Sequence, residues 1–161
     1  MKTGNIKTKI LEQGDLIKKV SQWKTDGKTI AFTNGCFDII HAGHIASLTE
    51  AASYADYLVV GLNADSSVKN LKGEGRPVNS QDARALVLAA LSMVDAVVLF
   101  DEPTPAHLIK MVLPDFLVKG GDYKPEDIAG ASDVIANGGR VIINPILKGF
   151  STTSIITKLK Q

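Results

Sequence analysis

Apolar residues in this chain fall into short unbroken runs separated by longer amphipathic stretches. The runs are TIAFT (residues 29–33), YLVVGL (57–62), AVVLF (96–100), FLVK (116–119) and RVIINPI (140–146). None alternates apolar with polar, as a strand with one wet face would. Near-continuous Val, Ile and Leu predict strands buried on both faces, the mark of a parallel sheet. Between the runs, helical spacing predicts helices over 43–55, 80–91, 104–112 and 152–160, and one or two helical pieces over 124–136. Ser80 suits an N-cap, Pro125 stands at a helix start and Gly138-Gly139 at a helix end. Ile10, Leu11, Leu16, Ile17 and Val20, interrupted by Gly14, predict helical pieces lying on the body of the domain. Residues 1–5 read as a frayed polar terminus, and residues 63–79 as a long polar loop.

Strands alternating with helices predict an α/β fold: a Rossmann-like three-layer sandwich around a five-stranded parallel sheet. A length of 161 residues suits one structural domain. Residues 1–27 read as an N-terminal helical extension packed on the body formed by 28–161. In such sheets ligands bind beyond the carboxyl ends of the strands, at a topological switch point. Polar residues directly after strands are therefore the first candidates for chemistry.

Composition narrows the function classes. Net charge is +1 with balanced signs, so no basic face for nucleic acid is implied. The single cysteine, Cys36, excludes an intrachain disulfide framework and fits a reducing compartment. No apolar run is long enough to cross a bilayer and no targeting segment is visible, so a soluble cytoplasmic protein is expected, with no membrane partner. No GxGxxG follows the first strand and no GxxxxGK[ST] occurs, which disfavours a dinucleotide-binding Rossmann enzyme and a P-loop. Neither GxSxG nor Asp-x-Asp after the first strand supports a hydrolase or phosphatase nucleophile.

The strongest constellation is NGCFDIIHAGH, residues 34–44, where a strand hands over to a helix. With His44 in the first helical turn, His41 and His44 both reach the space before the helix N-terminus. Free N–H groups and the helix dipole already favour phosphate there. Two imidazole donors add hydrogen bonds to a phosphoryl group gaining charge in a transition state. Gly35 and Gly43 allow close approach of backbone and phosphate. The plainer alternative is a helix cap with one exposed and one buried histidine; a metal site is weaker still, with three histidines in all and no HExxH. GFSTT (149–153) opens the last predicted helix with three hydroxyls, more than a cap requires. KNLKGEGR (69–76) could close over phosphates or be a solvated loop. Lys119-Gly120-Gly121-Asp122 follows the fourth run, either as backbone close to a ligand or as an ordinary turn. His107 and Trp23 read as structural.

The HxGH of residues 41–44 and the GFSTT segment, in this order and separation, resemble the two signatures of the cytidylyltransferase-like nucleotidyltransferase superfamily. FTNGCFDIIHAGH, VGLNADSSVKNLKGEGRP, VDAVVLFDEPTP, LVKGGDY and GFSTT resemble its D-glycero-β-D-manno-heptose 1-phosphate adenylyltransferase (ADP-heptose synthase) branch, from about Lys28 to the C-terminus. In many bacteria that unit follows a sugar kinase domain; the present chain resembles the free-standing form. Glycerol-3-phosphate cytidylyltransferases, the nearest alternative, carry an arginine where Ile146 stands and RYVDEV where residues 92–97 read SMVDAV.

The resemblance implies in-line attack of a sugar 1-phosphate on the α-phosphorus of ATP, with Mg²⁺ bridging phosphates, few protein metal ligands and no dedicated metal site. It implies His41, His44 and Lys72 as catalytic. It places Asn34, Gly35, Cys36, Phe37, Asp38, Gly43, Gly61, Asn63, Asp65, Gly149, Phe150, Ser151, Thr152 and Thr153 at the nucleotide. Lys72, Lys119, Gly120 and Asp122 go to the acceptor or the leaving pyrophosphate. Asp38 is expected to orient its loop or the first histidine. ADP-heptose serves lipopolysaccharide synthesis. A homodimer is compatible with the family, and a nucleotide-binding regulatory module is the non-enzymatic alternative.

Overall fold

The computed structural model describes residues 4–161; the expectation of a frayed terminus falls in part on residues 1–3, outside the described residues. A 3-10 turn at Ile6–Lys9 leads into β1 (Ile10–Leu11) and α1 (Gln13–Thr25). There follow β2 (Ile30–Gly35), α2 (Ala42–Ala52), β3 (Tyr57–Asn63), α3 (Asp65–Lys72), α4 (Gln81–Ala90) and β4 (Ala96–Phe100). The chain continues with α5 (Ala106–Val112), β5 (Phe116–Gly120), α6 (Ala131–Ala136), β6 (Arg140–Asn144) and α7 (Thr152–Leu159). The strands form one sheet in the order β1-β4-β3-β2-β5-β6, and every pairing is parallel.

Each apolar run serves two cores because successive strand side chains point to opposite faces. Ile30, Phe32, Val59, Ala96, Val98, Phe100 and Leu117 face α1, α5 and α6, meeting Leu16, Trp23, Leu108, Ile109 and Val134. Ala31, Leu58, Val60, Leu62, Val97 and Val118 face α2 and α4, meeting Leu48, Ala51, Ala85 and Leu88. Trp23 stacks on Tyr57 with ring centroids 4.1 Å apart, a packing aromatic as expected. Of the described residues, no helix is long and apolar enough to cross a membrane.

Three local expectations need correction. The sheet has six strands, not five. Ile10 and Leu11 pair with Val97 and Val98 as an edge strand rather than belonging to a helix. A two-residue strand has no period to read, and only its partner identifies it. Gly14 does not break the helix that follows; it sits in the first turn of α1. The polar segment after β3 is not all loop, since residues 65–72 form α3, which ends at Gly73 with φ +90°. Only Ser67 and Val68 of α3 are buried, so its helical stripe is too thin to show in the sequence.

The strand order places β2 between β3 and β5. The chain runs outward from β2 through β3 to β4 on one side and through β5 to β6 on the other. The carboxyl ends of β2 and β5 therefore flank the switch point, where crossovers diverge and leave a crevice.

Candidate functional site

A cavity of about 940 Å³ opens at that crevice. Its wall after β2 is Asn34, Gly35, Cys36, Phe37 and Asp38, followed by His41, Gly43, His44, Ala46, Ser47 and Glu50 of the α2 region. Asn63, Leu71, Lys72 and Arg76 come from the β3 side, and Lys119, Gly120 and Tyr123 from the β5 side. Ile146, Leu147, Phe150, Ser151, Thr152 and Thr153 close it from the last loop and α7. Segments more than 100 residues apart in sequence thus share one space.

His41 is the N-cap of α2, with extended backbone (φ −140°), and His44 is the third helical residue. Their rings stack with centroids 3.8 Å apart and 23° between planes. The His41 backbone N–H donates to Nδ1 of His44 at 3.4 Å, which leaves the proton of a neutral His44 ring on Nε2. Nδ1 of His41 is buried without a hydrogen-bond partner. Burial lowers the pKa of His41. Burial, and next the neighbouring His41, push His44 down to about 4 against the opposing Ile39 backbone. Both rings are neutral at pH 7 and can each donate one N–H.

Gly43 is required by this packing. A Cβ there would stand 3.0 Å from the His41 ring and 3.1 Å from Cβ of Phe150. Phe150 in turn lies nearly parallel to the His41 ring, centroids 6.2 Å apart. Ser151 caps α7 by accepting from the Ser154 N–H at 3.0 Å. Thr152 Oγ1 donates to the Ile39 carbonyl at 3.3 Å, tying the start of α7 to the loop before α2. Two helix N-termini, each with orphan N–H groups, consequently border one cavity.

Asp38 is 3 % exposed and accepts from Arg76 Nε at 2.9 Å and from the Val78 and Asn79 N–H groups. Burial alone would raise its pKa, but these donors outweigh it and hold the carboxyl below its usual range. Asp38 thus orients the segment around residues 76–79, not His41. Phe37, just before it, has φ +45°, an unfavourable value for a non-glycine residue that marks the loop as held by its surroundings.

Lys119 is partly buried, and burial lowers its pKa. Its Nζ lies 5.5 Å from the Tyr123 ring centroid. Among the described residues neither Lys119 nor Lys72 makes an ion pair. The cavity therefore presents unneutralised cations next to two helix N-termini.

Other expected residues stand elsewhere. Gly61 is inside β3, where a Cβ would come within 2.8 Å of the Phe32 ring; it serves strand packing and does not line the cavity. Asp65, Gly149 and Asp122 are also outside the lining. His107 is exposed on α5 and does not line the cavity, although Pro103–Pro105 just before it do.

Asp65 is engaged by Arg84, a residue not singled out by the sequence. Arg84 on α4 is 1 % exposed. Its Nη2 donates to Asp65 at 2.8 Å, Nη1 to the carbonyls of Cys36 (2.7 Å) and Asn63 (2.8 Å), and Nε to that of Asn79 (3.0 Å). One guanidinium pins together the loops after β2 and β3 and the one before α4. Its only sequence signal is its place four residues before Leu88, on the apolar stripe of α4. Ser47 and Glu50 also line the cavity, but in sequence they read only as positions within helix α2.

The model of the cytidylyltransferase-like family matches residues 32–158. The bifunctional protein HldE of Nitrobacter hamburgensis is 54% identical over 144 residues, covering 89% of this chain and 29% of that protein. The bifunctional protein HldE of Vibrio cholerae is 54% identical over 151 residues, covering 94% and 32%. The chain thus spans about a third of the length of these relatives. The crystal structure of the lipopolysaccharide core biosynthesis protein from Thermoplasma volcanium superposes with TM-score 0.63 at 28% identity, over 77% of this chain and all of that one. Pantoate-beta-alanine ligase from Francisella tularensis shares the fold, with TM-score 0.57 at 17% identity, over 94% of this chain and 76% of that one.

Proposed function

Because this chain belongs to the cytidylyltransferase-like family, we propose that it is an adenylyltransferase joining the AMP moiety of ATP to D-glycero-β-D-manno-heptose 1-phosphate. The products are ADP-heptose and pyrophosphate, the former destined for lipopolysaccharide. The observation that carries the reading is the pair of stacked, neutral histidines at the N-terminus of α2, facing unpaired Lys72 and Lys119 in one cavity. Relatives at 54% identity named for a bifunctional protein, and a neighbour named for lipopolysaccharide core biosynthesis, support the acceptor class.

In this reading an oxygen of the acceptor phosphate attacks the α-phosphorus of ATP. The bond from that phosphorus to the bridging oxygen of pyrophosphate breaks, and no covalent intermediate on the protein is needed. Positioning and charge stabilisation supply the catalysis. His41 and His44 donate to phosphate oxygens, with His44 doing so through Nε2. The N–H groups opening α2 and α7 hold the remaining phosphate charge, and Lys72 and Lys119 hold the acceptor phosphate or the leaving pyrophosphate. Among the described residues no cluster of three or more His, Cys, Asp or Glu side chains could cage a metal ion. Mg²⁺ brought in on the nucleotide phosphates would neutralise part of their charge.

ATP is expected to outpace CTP, with a heptose 1-phosphate as the better acceptor. Ile146 stands where the cytidylyltransferases carry arginine, and residues 60–77 and 117–123 follow the adenylyltransferase branch. A pyrophosphate-release assay of four nucleoside triphosphates against sugar and polyol phosphates checks it. Faster release with CTP and glycerol 3-phosphate would replace this reading by the cytidylyltransferase one.

The α7 hydroxyls give a second test. Ser151 caps the helix and Thr152 ties its start to the Ile39 carbonyl, so changing Thr152 and Thr153 together to valine is expected to lower stability by about 1 kcal/mol, for that one lost hydrogen bond. Nucleotide affinity is expected to fall by tenfold or more. Calorimetric titration with ATP and Mg²⁺ beside a melting curve separates the effects; unchanged affinity would reduce the segment to a structural role.

A further inference from the structure

The cavity is divided by charge. His41, His44, Lys72 and Lys119 suit phosphates, Arg76 being already paired with Asp38, yet the carboxylates Glu50, from α2, and Asp127 line the same space. A carboxylate repels phosphate, so the end it occupies must receive an uncharged, proton-donating part of a ligand.

The geometry along α2 shows which part. Gly43, Ser47 and Glu50 share one helix face, and six residues separate His44 from Glu50, about 9 Å along the axis. Gly43 abuts Phe150, as its added Cβ would stand 3.1 Å from that residue. One turn on, the side chain missing at Gly120 leaves an opening towards Ser47, whose Oγ would be 3.8 Å from a Cβ built there. Small residues thus floor a slot between the α2 face and the end of β5. Phe150 and Ile146, 44 % and 64 % exposed, offer apolar surface at its rim. A flat ring with polar edges fits such a slot; a polyol does not need its apolar rim.

One hydrogen-bonding group lines the slot, and a second stands next to it in the sheet, behind Gly120. Tyr54 donates to Oε1 of Glu50 at 3.3 Å, which orients the carboxylate and leaves Oε2 available. Asn144 is the register partner of Gly120, so its side chain leaves the sheet on the same face. It is 1 % exposed, and among the described residues neither Oδ1 nor Nδ2 has a hydrogen-bond partner. A buried amide with both atoms idle is rare and calls for an explanation, commonly a ligand or an ordered water.

We propose that Glu50 is a specificity-determining residue that reads the nucleobase, accepting a hydrogen bond from its exocyclic amino group. The inference rests on the nucleotidyltransferase reading above. A carboxylate only accepts, so facing the edge that carries N6 of adenine or N4 of cytosine it favours those two bases. It meets the carbonyl oxygen of guanine or uracil with repulsion. The width of the slot then acts separately on purine against pyrimidine.

Equilibrium binding of ATP, GTP and inorganic tripolyphosphate, each with Mg²⁺, to the full chain and to Glu50→Gln tests this. A glutamine amide can donate as well as accept, so the ATP-over-GTP preference is expected to fall by roughly tenfold to a hundredfold. Tripolyphosphate reaches only the cationic end, so its affinity should change less than threefold, which also reports an intact fold. An ATP-to-GTP ratio unchanged in Glu50→Gln would overturn the assignment, as would parallel losses for all three probes. Failure of the unmodified chain to bind any nucleoside triphosphate would instead overturn the proposed function, and this inference with it.

Discussion

Replacing His41 or His44 by alanine is expected to reduce turnover by about 10²–10³-fold each, with the fold preserved. The two rings stack on one another at the mouth of α2, and in the proposed reaction both donate to phosphate oxygens, so their contributions are expected to be coupled. The double variant should therefore lose less than the product of the single losses. Single-turnover kinetics, with circular dichroism to verify folding, measures this; near-normal turnover in either variant would remove that histidine from catalysis. His44 adds a pH signature. In the unfolded chain its ring takes up a proton near 6.5, whereas in the folded protein it stays neutral down to about 4. The unfolded state binds more protons between these values, so stability present above pH 6.5 is lost as the pH falls towards 4. His44→Gln should flatten the fall in Tm across that window. An unaltered Tm profile in the variant would show that other groups drive the acid sensitivity.

The second large effect is on stability, at Arg84. Replacement by methionine keeps much of the buried volume but strands the carbonyls of Cys36, Asn63 and Asn79 and frees Asp65. Removing one partner from a buried charged network typically costs about 3–5 kcal/mol, which for a domain of this size is a Tm drop on the order of 10 °C. Lysine keeps the charge but not the fork that meets several acceptors at once, so Arg84→Lys should retain only part of the stability. Because Cys36 and Asn63 line or border the cavity, nucleotide affinity should fall in both variants. Chemical denaturation beside nucleotide titration checks the pair. A loss below about 1 kcal/mol in Arg84→Met would mean that water satisfies the stranded carbonyls.

The layered architecture was legible because burying both faces of a parallel strand demands an unbroken apolar run, and such runs stand out in any order of contacts. The motif at residues 34–44 was equally legible: N-cap, glycine and third helical residue are local in sequence, so the placement of His41 and His44 follows from helix geometry alone. GFSTT could be placed at a helix start for the same reason, with Ser151 identifiable as a cap type. Other features depended on chain segments meeting. β1 exists only through its pairing with β4. Gly61, which the resemblance places at the nucleotide, stands inside β3, where the Phe32 ring leaves no room for a side chain. Asp38 turned out to hold Arg76 rather than a histidine, and that partner lies 38 residues away. Arg84 read as one more charge on a helix until the strand ends converged around it. The sequence by itself determined what is set by backbone periodicity and short-range capping: five of the six strands, the two covering layers and the position of both histidines at the start of α2. Tertiary structure alone decided which polar groups share the cavity and which spend their hydrogen bonds on one another, since those pairings form only when strand ends distant in sequence are brought within hydrogen-bonding distance.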